Sequence, residues 1–312
     1  MAIAQLDPHK FQDPYVTAAG ERRAWVPLKS LDTLWFNTGT LCNLTCRHCY
    51  IESSPKNDRL VYLSATEVAG YLDEIEELGL GTQLIGFTGG EPFLNRELPA
   101  MLAATLDRGF RVLVLTNAMK PMHRMKPDLL ALRDRHGERL AIRVSVDHYG
   151  RAVHEAERGR RSWQPTVDGL QWLVRNGFAV SIASRRLSGE SEDELRRGFA
   201  GLFGALEVPI EPDDPVALTI FPEMDPGADV PEITEACWGI LGKSPESVMC
   251  SSSRMVVKFK GAERPAVIAC TLLPYDPRFD LGPTLANARR AVALNHPHCA
   301  KFCVLGGGAC SR

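Results

Sequence analysis

Three cysteines stand in one nine-residue run, Cys42-Asn-Leu-Thr-Cys46-Arg-His-Cys49-Tyr50. A three-residue gap followed by a two-residue gap lets one short loop wrap three thiolates around a compact inorganic core, and soft thiolates suit iron–sulfur clusters. Three ligands to a four-iron core leave one iron open. An open iron can chelate a small molecule, unlike a closed electron-transfer cluster held by four cysteines. A zinc site or three buried thiols are the other readings; zinc wants a fourth ligand, which His48 reaches only awkwardly from inside the same loop. A second run, Thr88-Gly89-Gly90-Glu91-Pro92, combines two glycines that permit close backbone approach and unusual dihedrals, a carboxylate that can accept from an ammonium, and a proline that fixes the turn. Taken alone, it reads equally well as an ordinary strand-to-helix turn.

Such residues need a frame. From about residue 31 to 221, short β-rich apolar runs alternate with longer segments of helical period, the pattern of a parallel sheet with crossover helices. The expected strands are Thr33–Asn37, Gln83–Thr88, Arg111–Thr116, Ala141–Val146, Ala179–Ala183 and Val216–Phe221. The expected helices are Ala65–Leu78 behind a Ser64 cap, Glu97–Arg108, Lys126–Arg135, Thr166–Asn176 and Glu192–Leu206, with Gly109 and Gly177 just beyond two of their ends. Six strands of this kind predict an α/β fold, a partial (β/α)6 TIM-like barrel, in which strand C-terminal ends and the loops after them form the site. Both motifs fall there.

The stretch Pro222–Pro231 reads as a linker. Beyond it, Met255–Phe259 and Ala266–Ala269 predict a β-hairpin, with Cys250 before it and Cys270 at its end, and a helix is expected around Thr284–Leu294. The closing run HPHCAKFCVLGGGACSR is too rich in Cys and Gly for a helix. Residues 1–30 carry no clear pattern. The expected division is an N-terminal extension over 1–30, a core over 31–228 and a cysteine-rich unit over 229–312.

The two motifs together, in this order and at successive strand ends, resemble the radical S-adenosylmethionine (SAM) superfamily, in which an aromatic residue follows the third cysteine, as Tyr50 does here. The resemblance implies that Cys42, Cys46 and Cys49 hold a [4Fe-4S] cluster whose open iron binds the amino and carboxylate groups of SAM, that Gly89, Gly90 and Glu91 meet the amino group, and that Tyr50 packs near the adenine. At the end of the fourth strand Ser145 and Asp147, two apart, point to one side, and in the family such groups reach the ribose or methionyl part of SAM. Ser184 and Arg185 end the fifth strand, where a guanidinium fork would suit the SAM carboxylate. The phrase HEAERG, with His154, Arg158 and Gly159, matches a loop common after the fourth strand, whose role varies. Each strand-end polar group can equally satisfy local backbone.

Cys250, Cys270, Cys299, Cys303 and Cys310 resemble the SPASM/twitch extension of part of that family, and FDLGPTLANA sits where the extension has a Leu-Gly turn. A full set has seven cysteines for two clusters. Five here imply one auxiliary [4Fe-4S] cluster, with Cys250, Cys270 and Cys310 the firmest ligands and the fourth from Cys303 or Cys299; zinc or metal-free thiols are the alternatives. Cys237 reads as a small buried residue or a substrate-site thiol.

The implied chemistry is one-electron reduction of SAM to methionine and a 5'-deoxyadenosyl radical, which abstracts hydrogen from a substrate, either a peptide or a small molecule undergoing oxidation. It requires an external donor such as flavodoxin or ferredoxin. A non-catalytic iron–sulfur or zinc scaffold or carrier is the competing class, though a carrier has no use for a SAM pocket. Composition is that of an ordinary globular protein, 312 residues with 45 % apolar and 24 % charged. A formal charge of -2 gives no footprint for nucleic acid or an anionic membrane. The start MAIAQLDPHKF lacks a signal-peptide pattern, no run approaches a membrane span, and the expected location is cytoplasmic.

Overall fold

Six apolar runs become six parallel strands in the computed structural model, which describes residues 5–187, 189–222, 225 and 227–309. A two-residue strand β1 (Trp25–Val26) precedes β2 (Thr33–Asn37), β3 (Leu84–Thr88), β4 (Arg111–Thr116), β5 (Leu140–Ser145), β6 (Ala179–Arg185) and β7 (Leu218–Phe221). From β2 to β7 each strand pairs in parallel with the next. Asn37 faces Thr88, Thr116 faces Val144, Ser145 faces Ala183 and Arg185 faces Phe221 across the ladders, so the strand C-terminal ends share one rim. All five residues of β2 are buried, as expected where a parallel sheet is covered on both faces.

The helices are α1 (Ala65–Glu77), α2 (Leu98–Asp107), α3 (Lys120–His123), α4 (Lys126–His136), α5 (Arg151–Arg158), α6 (Trp163–Arg175), α7 (Glu192–Leu206) and α8 (Cys237–Leu241). Ser64 caps α1 with a reciprocal box, its hydroxyl accepting from Glu67 N at 3.2 Å while the Glu67 carboxylate accepts from Ser64 N at 2.9 Å. Gly109 and Gly177 follow α2 and α6 at φ +91° and +69°. The segment holding HEAERG is a helix, α5, rather than a loop; it buries His154, Glu157 and Arg158 on one side.

The hairpin β8 (Ser253–Val257) and β9 (Ala266–Ile268) is not a separate layer. β8 lies parallel to β2, giving one eight-stranded sheet in the order β7-β6-β5-β4-β3-β2-β8-β9, open at β7 and β9. Two expectations for the C-terminal unit fail. The helix expected over Thr284–Leu294 is a single 3-10 turn, Asn287–Arg289, followed by β10 (Val292–Ala293), which pairs antiparallel with β1. Its carbonyls are claimed from outside: Ala288 O and Arg290 O accept from the Arg254 guanidinium at 2.9 and 3.2 Å. Conversely, Cys299–Leu305 does form a helix, of π type, with Cys299, Ala300, Phe302 and Val304 buried, and the three glycines fall after its end. Residues before β2 strap across this unit, with Glu232 accepting from Phe11 N and Ala18 N, both at 2.6 Å, and pairing with buried Arg23 at 2.5 Å.

Candidate active site

One cavity opens at the rim of strand ends. Cys42, Cys46, Cys49 and Tyr50 line it from the loop after β2, Gly89 and Gly90 from the turn after β3, Asn117 from beyond β4, Ser145 and Asp147 from the end of β5, and Ser184 and Arg185 from β6. Thr271, Leu272 and Phe302 of the C-terminal unit complete the wall, and Phe302 meets Phe221 at a tilt of 32° with ring centroids 5.6 Å apart. Of the residues singled out at these strand ends, Glu91 does not line it.

The cysteine loop is held from both sides. Leu44 N and Ser53 N donate to the sulfurs of Cys42 and Cys49 at 3.4 and 3.3 Å. His48 is turned to Glu157 on α5, with Nδ1 2.6 Å from Oε2, while its backbone N–H donates to Oε1 at 2.9 Å. It therefore braces the loop against α5 rather than adding a fourth thiolate-like ligand. Arg185 donates to the His48 carbonyl at 2.5 Å and lies over the Tyr50 ring at 4.4 Å. Burial, and secondarily the Glu91 carboxylate, push the Cys42 thiol up to about 12; burial also raises Cys46. An isolated thiolate is disfavoured at such a place, and a bound cationic core reverses that balance.

The two glycines of the β3 turn serve the fold as well as the cavity. Gly90 N donates to Gly39 O at 2.8 Å and Glu91 N to Leu41 O at 3.1 Å, so the turn lies against the segment leading into Cys42. A Cβ at Gly90 would sit 2.2 Å from the Leu41 carbonyl oxygen, and one at Gly89, which has φ +147°, 2.6 Å from Gly39 O. Glu91 is buried and turned to the end of β4. Its carboxylate accepts from Thr116 Oγ1 at 2.8 Å, Phe93 N at 3.2 Å and Asn117 N at 2.9 Å. Burial pushes its pKa up to about 7 against those donors.

Asp147 meets a cation that strand-end reasoning did not include among the site residues. Arg158 Nη2 donates to Oδ1 at 3.1 Å, and Nε stands 2.8 Å from Oδ2 as an ion-pair contact outside hydrogen-bond angles. Arg185 Nε lies 3.7 Å from Oδ1, and the Ser184 hydroxyl donates to the Asp147 carbonyl at 3.0 Å. Burial works against its charge, yet Arg158 and then Arg185 hold the Asp147 carboxyl below the ordinary carboxylate range. Asn117 is the second omission. Its Nδ2 donates to Asn43 in the cysteine loop at 3.0 Å. The signal for it was present, a polar residue directly after β4 at the same rim as the others.

A second, smaller chamber gathers Cys250, Cys270, Cys299 and Cys303 with His298, under Ala269, Leu272 and Phe279. Leu272 lines both chambers. Leu272 N donates to Cys270 Sγ at 3.4 Å. Burial raises the Cys250 thiol to about 11, and Cys299 is raised by burial and then by Cys270 and Cys250. Cys237 stands apart, its sulfur accepting from Thr234 N at 3.4 Å. Cys310 lies outside the described residues.

An open parallel sheet with crossover helices, whose strand ends carry a three-thiol loop beside a Gly-Gly turn, defines an iron–sulfur protein of the partial-barrel class. Residues 36–197 match the radical SAM superfamily, and the chain belongs to it. Among its relatives are the antilisterial bacteriocin subtilosin biosynthesis protein AlbA of Bacillus subtilis, 29 % identical over 54 % of this chain and 35 % of that one, and the mycofactocin maturase MftC of Mycolicibacterium smegmatis, 26 % identical over 53 % and 40 %. The chain thus spans well under half the length of these curated relatives. Among solved structures, Streptococcus suis SuiB bound to SAM superposes with a TM-score of 0.58 at 11 % identity over 81 % of this chain and 63 % of that one. Native anSMEcpe with bound AdoMet gives 0.57 at 13 %, over 82 % and 79 %. At such identities the likeness is one of fold.

The superfamily uses a [4Fe-4S] cluster and SAM, and the residues present fit both. Three thiols share a wall with N–H···S donors already in place on two of them. Asn37 Nδ2 and Ser53 Oγ, on residues lining the same cavity, are buried without a partner among the described residues and call for a polar guest. Among the described residues no helix is long and apolar enough to cross a membrane.

Proposed function

We propose that this chain is a SAM-cleaving radical enzyme that abstracts hydrogen from a substrate carbon, with Cys42, Cys46 and Cys49 holding the catalytic [4Fe-4S] cluster and Cys250, Cys270, Cys299 and Cys303 a second one. The observation that carries the reading is the single cavity in which the trio, the Gly-Gly turn, Ser145, Asp147 and Arg185 face one another under a wall made by Leu272 and Phe302. When bound, the cluster supplies the electron that splits SAM and sets off hydrogen abstraction.

The chain's own part is to bind, orient and exclude water. Gly89 and Gly90 present backbone at close range, Tyr50 and Arg185 form a stacked wall, and Ser145 and the Arg158-held Asp147 offer polar edges to the nucleoside and amino-acid ends of SAM. Leu272, Phe221 and Phe302 keep the far end apolar, which suits a reactive species that attacks whatever C–H is nearest. Residues 31–228 act as the SAM-binding core and 229–312 as the second-cluster unit, hydrogen-bonded to it through β8. A small reductase such as flavodoxin or ferredoxin delivers the electron.

A peptide is the favoured substrate. It is supported by the likeness to AlbA and MftC, whose names tie them to bacteriocin biosynthesis and to mycofactocin maturation, and by the fold shared with SuiB, solved with the precursor peptide SuiA. Anaerobically reconstituted protein is expected to form 5'-deoxyadenosine from SAM and dithionite, and the Cys42/Cys46/Cys49→Ala variant none. Absence of SAM binding by fully iron-loaded protein would instead support the carrier.

A further inference from the structure

Arg254, on β8, is among the most buried side chains of the molecule at 1 % exposure. Its guanidinium donates to four carbonyl oxygens, Ala288 at 2.9 Å, Cys250 at 2.6 Å, Ser253 at 2.8 Å and Arg290 at 3.2 Å. Other buried arginines at functional points meet carboxylates, Arg23 with Glu232 and Arg158 with Asp147. No carboxylate pairs with Arg254 among the described residues. Carbonyls satisfy its hydrogen bonds but leave a full positive charge in the interior, and a buried charge is costly unless an opposite charge stands nearby. Arg254 holds the carbonyl of Cys250, and Cys250 and Cys270 are two walls of the second chamber. A guanidinium stays cationic where an amine would deprotonate.

We propose that Arg254 is the resident counter-charge of the second cluster, a positioning residue whose positive charge is balanced only when the four thiols of that chamber bind an iron–sulfur core as thiolates. This rests on the second-cluster reading above. A four-iron core on four thiolates is net anionic and gains a further negative charge when it takes up one electron, so a fixed cation beside it favours both loading and the reduced state. The same residue fixes the chamber's shape, since its carbonyl partners include the backbone of Cys250 and the 3-10 turn that replaces a helix.

The test uses the full chain carrying Cys42/Cys46/Cys49→Ala, so that remaining iron reports the second chamber. Reconstituted protein is titrated with a chemical one-electron reductant and followed by EPR, with iron and sulfide counted per chain. Arg254→Gln is expected to shift the reduction equilibrium at least tenfold toward the oxidised form, about 59 mV for a one-electron couple, and to lower iron retention against a chelator. Arg254→Lys, which keeps the charge but not the fork, is expected to stay within about a third of that shift. If Arg254→Gln is not recovered folded, Arg254→Lys decides alone, a shift of tenfold or more overturning the proposal. If the triple-Ala background is not recovered folded, the same comparison is made in the otherwise native chain on the EPR signal that SAM does not perturb. Equal midpoints with Arg254 in place and in the Arg254→Gln variant, both iron-loaded, would overturn the counter-charge role and leave the second cluster standing. No iron in the protein that keeps Arg254, with the trio also replaced, would instead remove the second-cluster reading and this proposal with it.

Discussion

Asp147, at the end of β5, and Arg158, in the last turn of α5, grip each other at the edge of the cavity, with Nη2–Oδ1 at 3.1 Å and Nε–Oδ2 at 2.8 Å. Their side chains are 3 % and 10 % exposed. The pair ties the helix that braces the cysteine loop to the strand end that lines the site, so it positions two parts of the cavity at once. Removing one partner strands the other charge, and Arg158→Met is expected to cost about 3 to 5 kcal/mol. The double variant Asp147→Asn/Arg158→Met should cost less than the sum of the two singles, read by denaturant unfolding of the metal-free protein. Strict additivity would mean the two do not couple.

Glu91 gives a different expectation from that of a SAM ligand. Three donors converge on its carboxylate, so Glu91→Gln puts an amide NH2 where only acceptors fit. A loss of about 1 to 3 kcal/mol in stability is expected, with SAM affinity falling no further than Thr116→Val makes it fall. Selective loss of SAM binding at unchanged stability would return Glu91 to the cofactor.

Gly90 is limited by the chain beside it. In Gly90→Ala the new methyl meets the Leu41 carbonyl oxygen at 2.2 Å, and backbone on both sides must part, at about 3 kcal/mol. Because Leu41 adjoins Cys42, the variant should also retain less iron on the trio, measured by iron content after desalting, while the second cluster is kept.

His154 is fully buried against the edge of Trp163, and burial, then Arg158, lower its pKa from 6.5 to about 4. A depressed base contributes stability that is complete above 6.5 and is lost as pH falls, because the unfolded chain takes up the proton and the folded one does not until about 4. Between pH 7 and pH 5 this amounts to about 2 kcal/mol. The pH dependence of unfolding for His154→Phe should be shallower than that of the native chain by that amount; identical slopes would show that His154 is not held neutral.

The strands and longer helices of the core were legible because each is written locally, whereas the short α3 and α5 were not read as helices. Thr33–Asn37 and Arg111–Thr116 appear at the residues their apolar runs predict, and the Ser64 box starts its helix. The C-terminal unit was not, since its backbone is satisfied from elsewhere in the chain. Val292 and Ala293 pair with β1, and the carbonyls of Ala288 and Arg290 accept from Arg254. Local propensity in that stretch pointed to a helix, and long-range hydrogen bonds overrode it.

By itself the sequence determined which groups are at hand: three thiols on one loop, a Gly-Gly turn at the next strand end, and polar residues at matching ends of a parallel sheet, because residue type and spacing along one strand or loop are properties of the chain. Only the tertiary structure decided which of those groups face a guest and which serve the fold. It turned Glu91 onto Thr116 and Asn117, supplied Arg158 to Asp147, and brought Cys250, Cys270, Cys299 and Cys303 into one chamber beside Arg254. Asp147 and Arg158 lie 11 positions apart, Glu91 and Asn117 26, and Cys250 and Cys303 53, and a charge or donor acquires such a partner through packing that no local pattern records.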